Sequence, residues 1–371
     1  MIIVHIIIGL DAGGAELMLK RLILSSHEKN TFNHQVISLT NIGPIGKELQ
    51  KSGVKIYSLG MNSIFTIPLI YFRLKKILKV INPNIVQTWM YHADFLGGVA
   101  AKRVGIKKII WGIRTTDVTL GKSNLTILLR NLCAKFSYFI PKVIVSAARI
   151  SKTVHIEAGY DASKFTIIPN GFDMSKMKST PEDRELLRKE WGINHDDIVI
   201  GSIGRFNYIK NQQLFIEIAA KLNSKKKNLK FIMIGKDNDW ENHELLSWID
   251  EYGIREKFIL LGQRNDINKC LSALDFFCLH SRTEGFPNVL GEAMAMGVIP
   301  VCLDVGDVAF ILNKSELIAK NPNELFEAMI KALELNPVTK EKIIKENYFR
   351  IKNNFSLDLV TELYEKLYQE I

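Results

Sequence analysis

A chain of 371 residues exceeds what one hydrophobic core usually organises and suits two domains of ordinary size. Hydrophobic residues make up 47% and charged residues 24%, which excludes a disordered or collagenous chain. The formal net charge of +10 is uneven: residues 1–175 hold 22 Lys and Arg against 9 Asp and Glu, and the remainder hold 27 against 30.

The chain opens on Ile2-Ile3-Val4-His5-Ile6-Ile7-Ile8, without a basic leader or a small-residue cleavage site. It reads as a buried first strand rather than a signal peptide. Further strands are predicted at 34–39, 54–58, 84–88, 108–112 and 142–146, with helices at 15–25, 66–80 and 94–103. A polar stretch from Met174 to Asp196 reads as a linker, and the pattern then restarts. Strands follow at 197–203, 229–234, 257–261, 275–279 and 298–303, with helices at 211–223, 241–252 and 289–296. Buried β-branched strands alternating with amphipathic helices predict an α/β fold of doubly wound parallel sheets. Leu359, Leu363 and Leu367, with Val360 and Tyr364 beside them, have helical spacing and predict a last helix docked on one of the domains. The expected domains are 1–175 and 176–355, with 356–371 packing back on the first.

No apolar run approaches the roughly 20 residues that span a bilayer. The cysteines Cys133, Cys270, Cys278 and Cys302 sit among apolar neighbours without metal-ligand spacing. They read as buried thiols of a reducing compartment, so a cytoplasmic location is expected.

Open α/β sheets bind ligands beyond the carboxyl ends of their strands, so the loops that follow strands carry the argument. The most specific runs from Ser281 to Gly297. Asn288 can cap a helix start and Gly297 can close its end. The helix N-terminus at Asn288 and Val289 then offers a phosphate seat. Glu284 precedes that helix, with Gly285, Phe286 and Pro287 between, and Glu292 lies a turn inside it. The two carboxylates can accept hydrogen bonds from sugar hydroxyls, one on a transferred sugar and one on a ribose. Arg205 and Lys210 follow the strand 197–203 and suit a diphosphate, whose negative charge grows as it departs.

The run Glu284-Gly285-Phe286-Pro287 with Glu292-Ala293-Met294-Ala295 and Gly297 resembles the signature of glycosyltransferase family 4. The resemblance implies a retaining enzyme of the GT-B fold, with two Rossmann-like domains facing a cleft, similar to bacterial surface-polysaccharide glycosyltransferases. It also implies an acceptor-side first domain and a second that binds a nucleotide-sugar. Gly204-Arg205 with Lys210 matches the family's diphosphate clamp, which works in place of a bound metal, so neither metal nor cofactor is expected. Gly262-Gln263-Arg264 matches a loop bordering the nucleobase, and Arg264 joins the expected donor contacts. Gly13-Gly14-Ala15-Glu16 resembles the loop whose glycine amides approach the donor phosphates. Trp89-Met90-Tyr91-His92 resembles the acceptor-side loop and makes His92 a catalytic candidate. Arg114 stands where many relatives have a histidine and is expected to bind an acceptor phosphate or the donor sugar. Ile168-Pro169-Asn170-Gly171 resembles a hinge.

The basic first half suggests an anionic partner: a lipid-pyrophosphate acceptor or an anionic membrane surface met peripherally on the inner face. Leu125 to Lys142, with Arg130 and Lys135 among Leu, Phe and Tyr, is the stretch expected to touch it, whereas 67–79 reads as a packing helix. Competing readings are an epimerase of the same fold, a sugar-nucleotide sensor and a nucleic-acid-binding protein. The glutamate signature opposes the first, and the basic half lacks the reader motifs and aromatic platforms the last would need.

Overall fold

The computed structural model describes residues 1–11, 13–28, 32–116 and 124–371. It divides into two compact units, Met1–Gly171 with Leu357–Ile371, and Phe172–Ser356.

Unit 1 holds strands β1 (Ile2–Ile7), β2 (Asn33–Ser38), β3 (Lys55–Ser58), β4 (Ile85–Trp89), β5 (Ile109–Ile113), β6 (Val143–Ser146) and β7 (Phe165–Ile167). They form one parallel sheet in the order β3-β2-β1-β4-β5-β6-β7. Strand residues alternate between its two faces. Val4, Ile6, Val86, Ile109 and Trp111 pack with Ile70, Leu74 and Leu78 of helix Ile67–Ile81 and with Cys133 and Ala134 of helix Asn124–Ser137. Ile3, Ile7, Ile85, Trp89 and Ile110 pack on the other face with Met18, Leu19 and Leu22 of helix Gly14–Glu28. The last helix, Leu357–Glu370, completes that second face. Its buried stripe is Val360, Tyr364 and Tyr368, whereas Leu363 of the expected leucine stripe is exposed.

Unit 2 holds β8 (Ile198–Ile203), β9 (Leu229–Ile234), β10 (Phe258–Leu260), β11 (Phe276–Leu279), β12 (Ile299–Leu303) and β13 (Ile318–Ala319). Their parallel order is β10-β9-β8-β11-β12-β13. The order reverses direction beside β8, so loops following β8 and β11 flank a switch point where ligands bind such sheets. The expected linker is instead part of this unit. Residues 181–190 form the helix Pro181–Glu190, started by a capping box between Thr180 and Asp183. Arg184 and Arg188 anchor it on Asp275, each with an Nη2···Oδ distance of 2.6 Å.

Candidate functional site

In unit 2 the site is assembled by two loops, one after β8 and one after β11. The first is folded on itself. Lys210 N–H donates to Asn207 Oδ1 at 2.9 Å, and Gln212 Nε2 donates to the Arg205 carbonyl at 2.9 Å. Gly204 lies under the Lys210 stem: a Cβ there would sit 3.2 Å from both Cδ and Cε. Gly235, after β9, has φ +139°, and a Cβ there would come 2.2 Å from the Gly204 carbonyl oxygen. Only glycine lets these two loops approach so closely.

His280, at the end of β11, ties the two loops together. Its Nδ1–H donates to the Asn211 carbonyl at 3.1 Å, so Nε2 accepts from Ser202 Oγ at 2.6 Å. Burial holds its pKa down at about 4, and the neutral ring stacks on Phe215 at 5.2 Å. The sequence reading passed over this histidine. Its signal was a polar residue closing the apolar run Phe276-Phe277-Cys278-Leu279.

One residue further, Ser281 Oγ donates to Glu284 Oε1 at 2.7 Å, and Lys210 Nζ donates to the same oxygen at 2.6 Å. Two of the expected site residues, 74 positions apart, are thus in direct contact. Arg282 steadies the approach: its guanidinium lies 4.4 Å from the Tyr208 ring centroid, and its backbone N–H donates to the Ile209 carbonyl. Gly306 (φ +62°) backs the loop, since a Cβ would come 2.5 Å from the Glu284 and Gly285 carbonyl oxygens. Asp307 N–H donates to the Gly285 carbonyl at 2.9 Å.

The helix after this loop is Asn288–Ala295. Its N-cap is Pro287, and no side chain caps it, so Asn288 is the first helical residue rather than the expected cap. At the other end Val298 N–H bonds the Ala293 carbonyl at 2.9 Å and Gly297 N–H that of Met294 at 3.4 Å, a Schellman closure with Gly297 at φ +77°. Val289 and Glu292 are half-buried on this helix. Phe286 turns inward, stacked on Phe172 at 6.2 Å and edge-on to Phe355 at 5.7 Å, so its side chain serves packing. Arg205 is exposed and makes no ion pair among the described residues. Arg264 is engaged by Asp266 through two hydrogen bonds of 2.8 and 2.7 Å.

In unit 1 the expected residues also follow strands. Gly13 and Gly14 open the helix Gly14–Glu28, and a Cβ on Gly13 would meet Glu16 Oε2 at 2.3 Å. Ala12 of that loop and Asp117 of the loop after β5 lie outside the described residues. His92 is half-buried in the first turn of helix Met90–Arg103, which opens on Met90 at φ +71°, an uncommon conformation for a side-chain-bearing residue. Tyr91, beside it, bonds His155 Nε2 at 2.6 Å and Thr115 Oγ1 at 2.8 Å. Arg114 is a tie within the unit: its guanidinium lies 4.8 Å from the Trp89 ring centroid and donates to Asn170 Oδ1 and to the Tyr364 hydroxyl.

Among the described residues no group of three His, Cys, Asp or Glu is placed to hold a metal, and no helix is long and apolar enough to cross a membrane. The cysteines are free and buried.

Comparison with known proteins bears on family and fold. The chain is 25% identical over 303 residues to an Escherichia coli protein, covering 78% of this chain and 77% of that one. Its name is UDP-Gal:alpha-D-GlcNAc-diphosphoundecaprenol alpha-1,3-galactosyltransferase. It is also 25% identical over 344 residues, 88% of each chain, to a Campylobacter jejuni protein. That relative is named N,N'-diacetylbacillosaminyl-diphospho-undecaprenol alpha-1,3-N-acetylgalactosaminyltransferase. The fold matches Anabaena HepE, solved in complex with UDP, with a TM-score of 0.87 over the whole of both chains at 18% identity. The profile described as "Glycosyltransferase Family 4" matches residues 12–176, and that described as "Glycosyl transferases group 1" matches residues 183–350. Between them these two profiles account for both units, and the chain belongs to glycosyltransferase family 4, with the GT-B fold.

Proposed function

We propose that this glycosyltransferase moves a sugar from a UDP-sugar to a lipid-pyrophosphate-linked glycan, with retention of anomeric configuration, in cell-surface polysaccharide synthesis such as that of O-antigen. The observation that carries the reading is the contact of Lys210 with Glu284 at 2.6 Å beside the start of helix Asn288–Ala295. In this reading Glu284 holds hydroxyls of the transferred sugar and Glu292 the ribose. Arg205, Lys210, Asn288 and Val289 stabilise the departing diphosphate. Gly13, Gly14, Gly285 and Arg264 add donor contacts, and His92 serves the acceptor side. Arg114 donates to Asn170 and Tyr364, which makes it a support of its own unit. The relative solved with UDP and the relative named for UDP-Gal favour uridine, and both named transferases favour a lipid diphosphate acceptor.

The test is transfer from UDP-sugars, UDP-N-acetylhexosamines first, to a lipid-pyrophosphate glycan, with the product's anomeric configuration read by NMR. Glu284→Ala should abolish transfer with the fold retained, and near-normal turnover on saturating donor would remove Glu284 from the site. Arg205 and Lys210 supply the charge a metal would, so transfer should persist in EDTA. Loss in EDTA with rescue by magnesium or manganese would overturn that part.

The same reading places the enzyme in the cytoplasm, peripheral on the membrane's inner face. Between Glu48 and Glu157 the only acidic residues are Asp94 and Asp117, against 17 Lys and Arg. Leu125, Leu128 and Phe136 are exposed on the expected stretch. Helix Ile67–Ile81 packs through Ile70, Leu74 and Leu78, and its opposite face exposes Leu69 and Phe72 together with Lys76 and Lys79. Basic residues near an anionic surface contribute on the order of 1 kcal/mol each. Flotation with anionic vesicles at low salt should carry the protein, and high salt or neutral vesicles should release it.

A further inference from the structure

In the proposed chemistry Lys210 and Glu284 serve different parts of the donor, yet the structure gives them to each other. Glu284 Oε1 takes both available protein donors, Lys210 Nζ at 2.6 Å and Ser281 Oγ at 2.7 Å. Among the described residues nothing donates to Oε2. The pair is sheltered, with the two side chains 27% and 13% exposed. Lysine is a compact charge on a flexible stem, able to turn from one anion to another without changing its backbone. Here that backbone is held by Asn207, and the stem lies along the surface of Gly204. Arg205, five residues earlier and without an ion pair among the described residues, has no such competing anion.

We propose that donor binding proceeds by an exchange of partners: the diphosphate takes the Lys210 ammonium from Glu284, and Ser281 alone then holds Oε1 while Oε2 receives a hydroxyl of the sugar. The inference rests on the donor reading above and adds a consequence to it. A nucleoside diphosphate without sugar must break the Lys210–Glu284 pair and offers Glu284 nothing in return. An intact donor breaks the same pair and supplies Glu284 with a hydroxyl. Glu284 therefore favours intact donor over spent product, and the return of Lys210 to Glu284 helps the product leave. Ser281, 3% exposed, is the positioning residue that keeps the carboxylate oriented once Lys210 has gone.

The experiment is calorimetric titration of the full chain with UDP, for the parent, Glu284→Gln, Lys210→Ala and the double variant. Removing the competing carboxylate should tighten UDP about three- to tenfold, the range expected for loss of a half-buried ion pair. In the Lys210→Ala background the same substitution should change affinity by less than about twofold, because the ammonium it would release is gone. In an Arg205→Ala background the gain should persist. If Glu284→Gln binds UDP no tighter than the parent, the exchange is wrong. If its gain survives in Lys210→Ala, the cause is direct repulsion between carboxylate and phosphate, which also overturns the exchange. A parent protein that binds none of UDP, GDP and ADP would instead remove the donor reading itself. For Ser281, Ser281→Ala should lower kcat with UDP affinity unchanged and Ser281→Thr should restore it. Failure of the threonine variant to rescue would reduce Ser281 to packing.

Discussion

Replacing Gly291 by alanine tests whether the helix of the glutamate signature is seated on Phe172. In an open helix Gly→Ala stabilises by about 1 kcal/mol, because glycine gives up more backbone freedom on folding. Here an added Cβ would come within 2.1 Å of Phe172 Cζ and 2.5 Å of Cε2. The ring cannot retreat freely. It is fully buried and stacked on Phe286, and its backbone N–H donates to the Phe355 carbonyl at 2.9 Å. An approach of 2.1 Å takes the upper end of the roughly 1–3 kcal/mol that overpacking costs, and after the propensity gain of about 1 kcal/mol the expected net loss is about 2 kcal/mol. For a unit of this size each kcal/mol lowers Tm by roughly 2–4 °C, so Gly291→Ala should melt about 4–8 °C below the parent. Urea titration gives the free energy directly. Phe172→Leu, which shortens the obstructing ring, should absorb much of the cost, so the double variant should lose less than the sum of the singles. A Gly291→Ala protein with an unchanged or raised Tm would refute the seating of this helix on Phe172.

Gly204→Ala should displace the Lys210 stem, which a Cβ would touch at 3.2 Å, and lower both UDP affinity and turnover, with a loss of Tm from the positive φ of +158° that alanine must adopt. Unchanged kinetics would show that Lys210 needs no such support. Tyr364→Phe leaves a guanidinium N–H of Arg114 without its acceptor, which should cost about 1–3 kcal/mol in urea titration, and a loss under about 0.5 kcal/mol would show the tie to be idle. His280 has a folded-state pKa of about 4, below its ordinary 6.5, so the unfolded chain binds its proton more readily and the stability it protects is lost as pH falls from 6.5 toward 4. The margin of the parent over His280→Asn should therefore shrink by up to about 1.4 kcal/mol per pH unit across that window, and a margin independent of pH would mean the ring is not held neutral.

The candidate site was legible in proportion to how local it is. The stretch from Glu284 to Gly297 lies on one strand-loop-helix unit, so its turn, helix and glycine closure could be read from adjacent residues. Only the start slipped, with Pro287 rather than Asn288 at the cap position. The contact of Lys210 with Glu284 could be expected only as membership of one site, since the register of β8 beside β11 brings those loops together. Phe286 shows the limit of residue type as a guide. Nothing in its own loop indicates that the ring stacks on Phe172, far away in the sequence.

By itself the sequence determined the strand and helix alternation and the parallel α/β architecture, because hydrophobic period, caps and glycine turns act over a few residues. The Thr180–Asp183 capping box was of that kind, yet its helix was read as linker because the Asp275 that holds Arg184 and Arg188 lies about 90 positions away. Tertiary structure alone decided which stripe of the last helix is buried. Leucines at 359, 363 and 367 and the row Val360, Tyr364, Tyr368 are neighbouring faces of one helix, and both are apolar. The choice went to the tyrosines because each apolar body fits the sheet while its hydroxyl finds a partner, Arg114 at a separation of 250 residues and Gln87 at 281. Those partners stand on and beside strands whose positions no local pattern in the last helix encodes.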